Sequence, residues 1–296
     1  MKNIRQRLVC TAVGACLVPL MVSCAMQPLA PAAPALSQQR IAEIVASPDR
    51  SGADRTNDLR RKPEQMLAFI GVRPGMLALD VSAGGGYTSE LLARAIGPTG
   101  MVYGQSPPRD PNRPPPAPAA PEGGGQPVAA TDAAQAAARP AAPRPSAVAL
   151  ADRESRLRSA NVVAARIVPV AQKFEDPAPP ALADGAFDLV TLMFNYHDLG
   201  FMGVDRDRMN RAIYRALKPG GAYIVADHSG RPGTGVSESG TLHRIEEAFL
   251  RKEVEAAGFR LAAEASFLRN PADPRDRNTP EPPQPKDEFV LKFVKP

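Results

Sequence analysis

The chain contains three histidines, His197, His228 and His243. Two of them stand beside an aspartate, in the runs Asn195-Tyr196-His197-Asp198 and Asp227-His228-Ser229. An imidazole titrates near neutral pH, so His197 or His228 suits proton transfer to or from a substrate oxygen or nitrogen. The same groups can bind a divalent metal, but their spacing along the chain matches no compact metal motif, and no metal ligands are assigned. They can also be structural, capping loops and helix ends. A second chemistry-bearing stretch lies upstream, where Asp80 is followed by Val81, Ser82, Ala83 and the glycines Gly84, Gly85 and Gly86. Glycines let a ligand approach the backbone closely, and a helix starting there offers N–H groups that its own ladder leaves over. Asp80 could accept hydrogen bonds from a ligand's hydroxyl or ammonium groups.

These residues need elements that hold them together. The apolar run Met76 to Leu79 reads as a strand, and Leu91, Leu92, Ala95 and Ile96 recur at helix-face spacing, which gives strand, Gly-rich turn, helix. Phe187 to Phe194 is a run apolar at all positions but Asp188 and Thr191, as expected of a parallel strand buried on both faces. Further strands are expected at about Met101–Tyr103, Arg166–Val170, Ala222–Ala226, Gly258–Phe267 and Glu288–Val294. Helices are expected at about Ser37–Ala46, from Pro63 to Ile70, at Ala147–Ala160, Asp205–Leu217 and Thr241–Ala257. Residues 47 to 62 are charged and polar, with no element assigned. His197, Asp198, Asp227 and His228 then follow the ends of the fourth and fifth strands. In an open α/β sheet the loops beyond those ends line the ligand crevice, so the four residues are expected to share one pocket.

Gly84 and Gly86 fit the first two positions of G-x-G-x-x-G, but the third falls on Ser89. An acid before the glycines, D-x-x-x-G-x-G, instead resembles motif I of the class I S-adenosylmethionine (SAM) methyltransferases, with Ser82 standing where that motif usually begins its glycines. The Arg73-Pro74-Gly75 turn before the strand, the FDLV start at Phe187 and the Leu217-Lys218-Pro219-Gly220-Gly221 segment are similar to features of the same superfamily. The NYHD, DHS and LHRIE segments resemble a branch of exported predicted methyltransferases. The likeness spans about residues 63 to 294. It implies a Rossmann-like α/β fold: a seven-stranded, mainly parallel sheet with an antiparallel last strand and helices on both faces.

The resemblance also implies SAM as cofactor, held by Asp80, Ser82, Ala83, Gly84, Gly86 and Tyr87, with Gln105 at the ribose where the family usually has an acid. Asn195 and Tyr196 fall where the family contacts cofactor or acceptor, and Tyr196 either stacks there or packs. His197, Asp198 and His228 would face a small-molecule acceptor. Two other functions remain open: a ligand-binding lipoprotein that keeps the fold without methyl transfer, and a metal- or His/Asp-dependent hydrolase.

The N-terminus reads as a targeting segment. Lys2, Arg5 and Arg7 precede the apolar stretch Leu8 to Val22, which is too short and wrongly flanked for a membrane span. Leu20 to Cys24 resembles a bacterial lipobox, which implies a signal peptide over 1–23, a lipid anchor at Cys24 and export to the periplasmic side, with outer-membrane sorting preferred. Cys10, Cys16 and Cys24 are the only cysteines, so the mature domain carries no disulfide framework and no thiol nucleophile. The formal charge is +5. Removal of the signal leaves 33 of the 36 basic residues against 31 acidic ones, a balance that does not suggest nucleic acid. Residues 24–36 read as an Ala/Pro tether and 37–296 as one domain. Within it, 106–147 is a low-complexity insert: 12 of the 33 prolines fall between Pro107 and Pro145. Such a segment cannot bury enough apolar surface to offset its ordering entropy.

Overall fold

A computed structural model describes residues 33–108, 144–278, 280 and 284–296. The expected signal peptide, Cys24 and most of the tether and insert lie outside the described residues. Seven strands form one sheet: β1 (Leu77–Val81), β2 (Met101–Ser106), β3 (Arg166–Ala171), β4 (Phe187–Met193), β5 (Leu217–His228), β6 (Arg260–Ala265) and β7 (Glu288–Val294). Their order is β3-β2-β1-β4-β5-β7-β6. β7 runs antiparallel to both neighbours, and the other pairings are parallel. This is the sheet expected from the sequence, with β1 and β4 adjacent at its centre.

Alternating strand residues feed two cores. Ala78, Leu189, Met193, Ile224 and Ala226 pack on one face with α1 (Gln38–Ala46), α3 (Pro63–Ile70), α4 (Tyr87–Ile96) and α5 (Ser146–Ser159). Leu79, Val190, Leu192, Tyr223 and Val225 pack on the other with α7 (Arg206–Ala216) and α9 (Glu247–Ala256). The period of two sends neighbouring side chains to opposite layers, so a sheet covered twice needs apolar residues at nearly every central position.

Three local expectations change. Residues 47–62 contain α2 (Gly52–Arg61), whose only buried residue is Asp54. A helix that docks through charge has no apolar stripe to betray it. The Lys218–Gly221 turn lies inside β5: pairing passes from Leu217 opposite Phe187 to Ala222 opposite Leu189. The helix expected over 241–257 breaks in two, α8 (Ser239–Leu242) and α9, with His243 between them at φ 52°. His243 therefore ends a helical turn instead of opening a helix. A short α6 (Asp198–Phe201) follows β4. Among the described residues no helix is long and apolar enough to cross a membrane.

Candidate functional site

β1 delivers the Gly-rich turn at the centre of the sheet. Ser82, Gly84 and Gly86 all adopt positive φ, at 58°, 53° and 78°. That region disfavours side chains, which explains glycine at two of the positions and makes Ser82 the strained one. Ser82 is held there by its hydroxyl, which donates to Asn195 Oδ1 at 2.6 Å, and by its N–H, which donates to Gln105 Oε1 at 3.0 Å. Gly86 is the N-cap of α4 and supplies no side chain to the first-turn N–H groups; the carboxyl of Asp80 already stands at that helix end, bonded to Ser89 in the first turn. Gly84 and Gly85 are exposed, and a Cβ on Gly85 would meet nothing within 4 Å. The turn thus presents free space at its tip. Its base is packed, since a Cβ on Gly86 would meet Leu150 and Arg153 at 2.8 Å.

Several expected ligand contacts are spent inside the protein. Asp80 is 2% exposed; its two oxygens accept from the Ser89 hydroxyl at 2.6 Å and the Thr191 hydroxyl at 2.8 Å. Burial pushes its carboxyl up to about 6 despite these bonds. Asp80 therefore ties β1 to α4 and β4, and the ligand contact expected of it is not made available. Gln105 is fully buried, accepting from Ser82 N–H and donating to the Gln172 carbonyl at 2.6 Å. Its amide bridges three segments and is not presented to a ribose. Tyr196 is fully buried; its hydroxyl donates to Glu253 and accepts from Asn210 at 2.8 Å. Of the two readings of Tyr196, packing holds and stacking on a ligand does not. Tyr87 turns toward α2 and donates to Asp58 at 2.7 Å. Ala83 is held by its N–H to the Gln105 carbonyl at 2.8 Å.

The histidines converge as expected. His197 is 3% exposed, with Nδ1 2.6 Å from Asp227 Oδ1 and Nε2 3.0 Å from Asp198 Oδ1. Its ring centroid lies 5.2 Å from that of His228 and 5.6 Å from that of His243. Burial opposes charge on His197, but Asp227 and Asp198 outweigh it and raise the imidazole to about 10. Each ring nitrogen of His197 thus faces a carboxylate of the protein, Asp227 at Nδ1 and Asp198 at Nε2. Burial above all holds His228 well below the usual range, so its ring is neutral. His228 Nδ1 lies 3.0 Å from Glu288 Oε1 but outside hydrogen-bonding geometry. Asp198 accepts from Asn195 Nδ2 at 2.8 Å and meets His243 Nδ1 at 2.8 Å. The two histidines hold its carboxyl below the usual range against the cost of burial.

Sequence reasoning missed the cations that α2 brings to this crevice. Arg60 and Arg61 stack on Phe194 with centroid distances of 4.6 and 4.7 Å, and Arg60 pairs with Glu288 at 2.5 Å. Phe194, directly after β4, sits at φ 60° and faces His228 at 5.8 Å. The readable signal was capping: Ser51 before the helix, Asp54 in its first turn, Arg60 and Arg61 in its last. α2 also sends Asp54 to Arg153 at 2.8 Å, and Arg153 donates to Glu90 and to the Gly85 carbonyl. A buried ion network thus grips the Gly-rich turn from behind. To its side, beyond the ends of β2 and β3, Pro108, Gln172, Lys173, Glu175, Asp176, Asp205 and Arg208 line a cleft of about 520 Å³. Ligand pockets commonly span roughly 300–1,000 Å³.

Comparison with known proteins agrees with this architecture. A family model described as a methyltransferase domain matches residues 123–225, a range that begins in the insert and runs into β5. No curated protein matches the chain. Among solved structures, a SAM-dependent methyltransferase from Aquifex aeolicus aligns with a TM-score of 0.51 at 14% identity, over 88% of this chain and 100% of that one. A TehB-like SAM-dependent methyltransferase from Corynebacterium glutamicum gives 0.42 at 15% identity, over 88% and 95%. Fibrillarin from Aeropyrum pernix, solved with natively bound SAM, gives 0.40 at 16% identity, over 75% and 68%. The chain has the class I methyltransferase fold, and residues 123–225 match a methyltransferase domain.

Proposed function

We propose that this protein binds SAM at the Gly-rich turn and transfers its methyl group to a small-molecule acceptor. The observation that carries the reading is the turn itself. Ser82, Gly84 and Gly86 lie in the left-handed region directly after central strand β1, with the tip at Gly85 open. The exposed backbone of Gly84 and Gly85 at the tip would approach the cofactor, while the N–H groups of Ser82, Ala83 and Gly86 and the Asn195 amide, bonded within the protein, hold the turn in shape for it. The cofactor supplies an electrophilic methyl group when bound. The chain then has to align an acceptor, desolvate it and manage one proton.

His197 is committed to Asp227 and Asp198, and burial, which holds His228 well below the usual imidazole range, makes that ring a weak proton acceptor. Arg60 and Arg61 beside Phe194 favour an acceptor with negative charge or an electron-rich ring. The test is methyl transfer from labelled SAM to a library of small acids and phenols by the purified chain.

The N-terminal signals support the further proposal that the protein is exported and lipidated at Cys24. Fatty-acid labelling of cells, lost in Cys24→Ala, tests it. A second reading, a binding module without transfer, is favoured by one observation: Asp80 and Gln105, the polar groups expected at the cofactor, are spent on the protein's own bonds. A folded chain that takes up no SAM, with its pocket intact, would select that reading for a different ligand.

A further inference from the structure

The crevice holds an arrangement that spacing along the chain conceals. His197 and Asp198 follow β4, and His243 arrives 45 residues later from the joint between α8 and α9. One ligand atom from each of these residues lies within 4.8 Å of the others. Asp198 Oδ1 is 3.0 Å from His197 Nε2 and 2.8 Å from His243 Nδ1. Ligands held at zinc-like distances from one ion stand about 3 Å apart, so little movement would seat an ion among these atoms.

The surroundings match what a metal centre requires. His197 presents Nε2 because its other nitrogen is fixed to the buried Asp227 at 2.6 Å. A carboxylate behind a ligating histidine sets its tautomer and orientation. Asp198 is aimed in the same way, since its second oxygen accepts from Asn195 Nδ2. Two carboxylates, Asp198 and Asp227, face His197, so a dication would meet compensating charge. His243, with its side chain 38% exposed, leaves an entry path.

We propose that His197 Nε2, Asp198 Oδ1 and His243 Nδ1 form a binding site for a divalent first-row transition metal. Two imidazoles and one carboxylate select such ions over magnesium or calcium, which prefer all-oxygen shells. Three protein ligands leave coordination positions for water or for an oxygen of the acceptor. The proton that His197 otherwise shares with Asp198 leaves when the ion enters. This site does not depend on the cofactor reading, because the ion contacts none of the residues of the Gly-rich turn.

The test uses the full chain with Cys10, Cys16 and Cys24 changed to Ser, so that thiolates cannot contribute. Chelator-treated protein is titrated with Co²⁺, followed by its visible absorption, and then challenged with Zn²⁺. The expected result is one equivalent bound and displaced by Zn²⁺. His243→Ala, at a half-exposed position that leaves the core intact, and Asp198→Asn should each weaken binding at least tenfold. Asp227→Asn should weaken it roughly 10–100-fold through loss of ligand orientation. A folded protein, checked by circular dichroism, that shows no absorption up to millimolar Co²⁺ would overturn the proposal. So would an affinity unchanged in both His243→Ala and Asp198→Asn. SAM titrated into the same samples separates the two readings, since either ligand can bind while the other fails.

Discussion

His197 and Asp227 form a double contact: the ring Nδ1 stands 2.6 Å from Oδ1, and the His197 N–H donates to Oδ2 at 2.8 Å. One carboxylate on β5 therefore fixes both the backbone and the ring of the residue that leaves β4. Both side chains are almost wholly buried. Removing one partner of a buried pair strands the other and costs about 3 kcal/mol. Asp227→Asn is expected to lower unfolding free energy by that amount in urea, while Asp207→Asn, in the exposed pair with Arg211, should change it by less than about 1 kcal/mol. Equal effects of the two substitutions would remove Asp227 from its central place.

Asp80 gives a pH signature. Its folded-state carboxyl sits at about 6 because of burial, against about 3.9 for an unfolded aspartate. Between those values the folded state binds more protons than the unfolded one, so this group's contribution to stability falls as pH rises from about 4 to about 6. The loss integrates to about 2–3 kcal/mol. Asp80→Asn cannot titrate, so the stability difference, wild type minus variant, should move against wild type by about 2 kcal/mol between pH 4.5 and 7.5. Urea unfolding of both proteins at the two pH values reads it, and a pH-independent difference would mean that burial does not perturb Asp80.

Ser82 separates backbone strain from hydrogen bonding. Glycine at φ 58° relieves roughly 1 kcal/mol of left-handed strain. It also loses the bond to Asn195, worth roughly 1 kcal/mol. Ser82→Gly is therefore expected to be close to neutral in thermal unfolding. Ser82→Val, β-branched and without a hydroxyl, should cost roughly 2 kcal/mol or more. A strongly destabilised Ser82→Gly would show that the Asn195 contact outweighs the strain.

The ion network behind the turn predicts coupling between α2 and the ligand site. Asp54 accepts from both terminal nitrogens of Arg153 at 2.8 Å, and Arg153 Nε donates to the Gly85 carbonyl at 2.5 Å. Asp54→Ala should cost roughly 2–3 kcal/mol of stability, softened because Glu90 still pairs with Arg153. It should also weaken SAM binding measurably, because the turn loses its rear support. Destabilisation with unchanged affinity would uncouple α2 from the site.

The sheet was legible because its determinants are local. β4 is apolar but for Asp188 and Thr191, β7 matches its expected bounds, and Pro63 starts α3 where a first-turn proline belongs. The convergence of His197, Asp227 and His228 followed from topology, since all three stand at strand ends. α2 was not legible by periodicity because its buried face is Asp54, a charge that becomes favourable only once Arg153 lies opposite. The chemical state of His197 was not legible either. It depends on two carboxylates meeting one ring in space, and a free histidine's titration range says nothing about that. Asp80 and Gln105 were assigned by resemblance to a motif, but their polar atoms turn to Ser89, Thr191, Ser82 and Gln172.

Calorimetric titration of SAM into the chain and into Gly85→Val tests the central claim most directly. Gly85 is exposed, and a Cβ added there would have nothing within 4 Å, so valine should leave the melting temperature unchanged while filling the space over the turn. The account predicts micromolar affinity, about −8 kcal/mol, for the wild type and none for Gly85→Val. A folded wild type that takes up no SAM at millimolar concentration, or a Gly85→Val variant that binds as well as wild type, would contradict it.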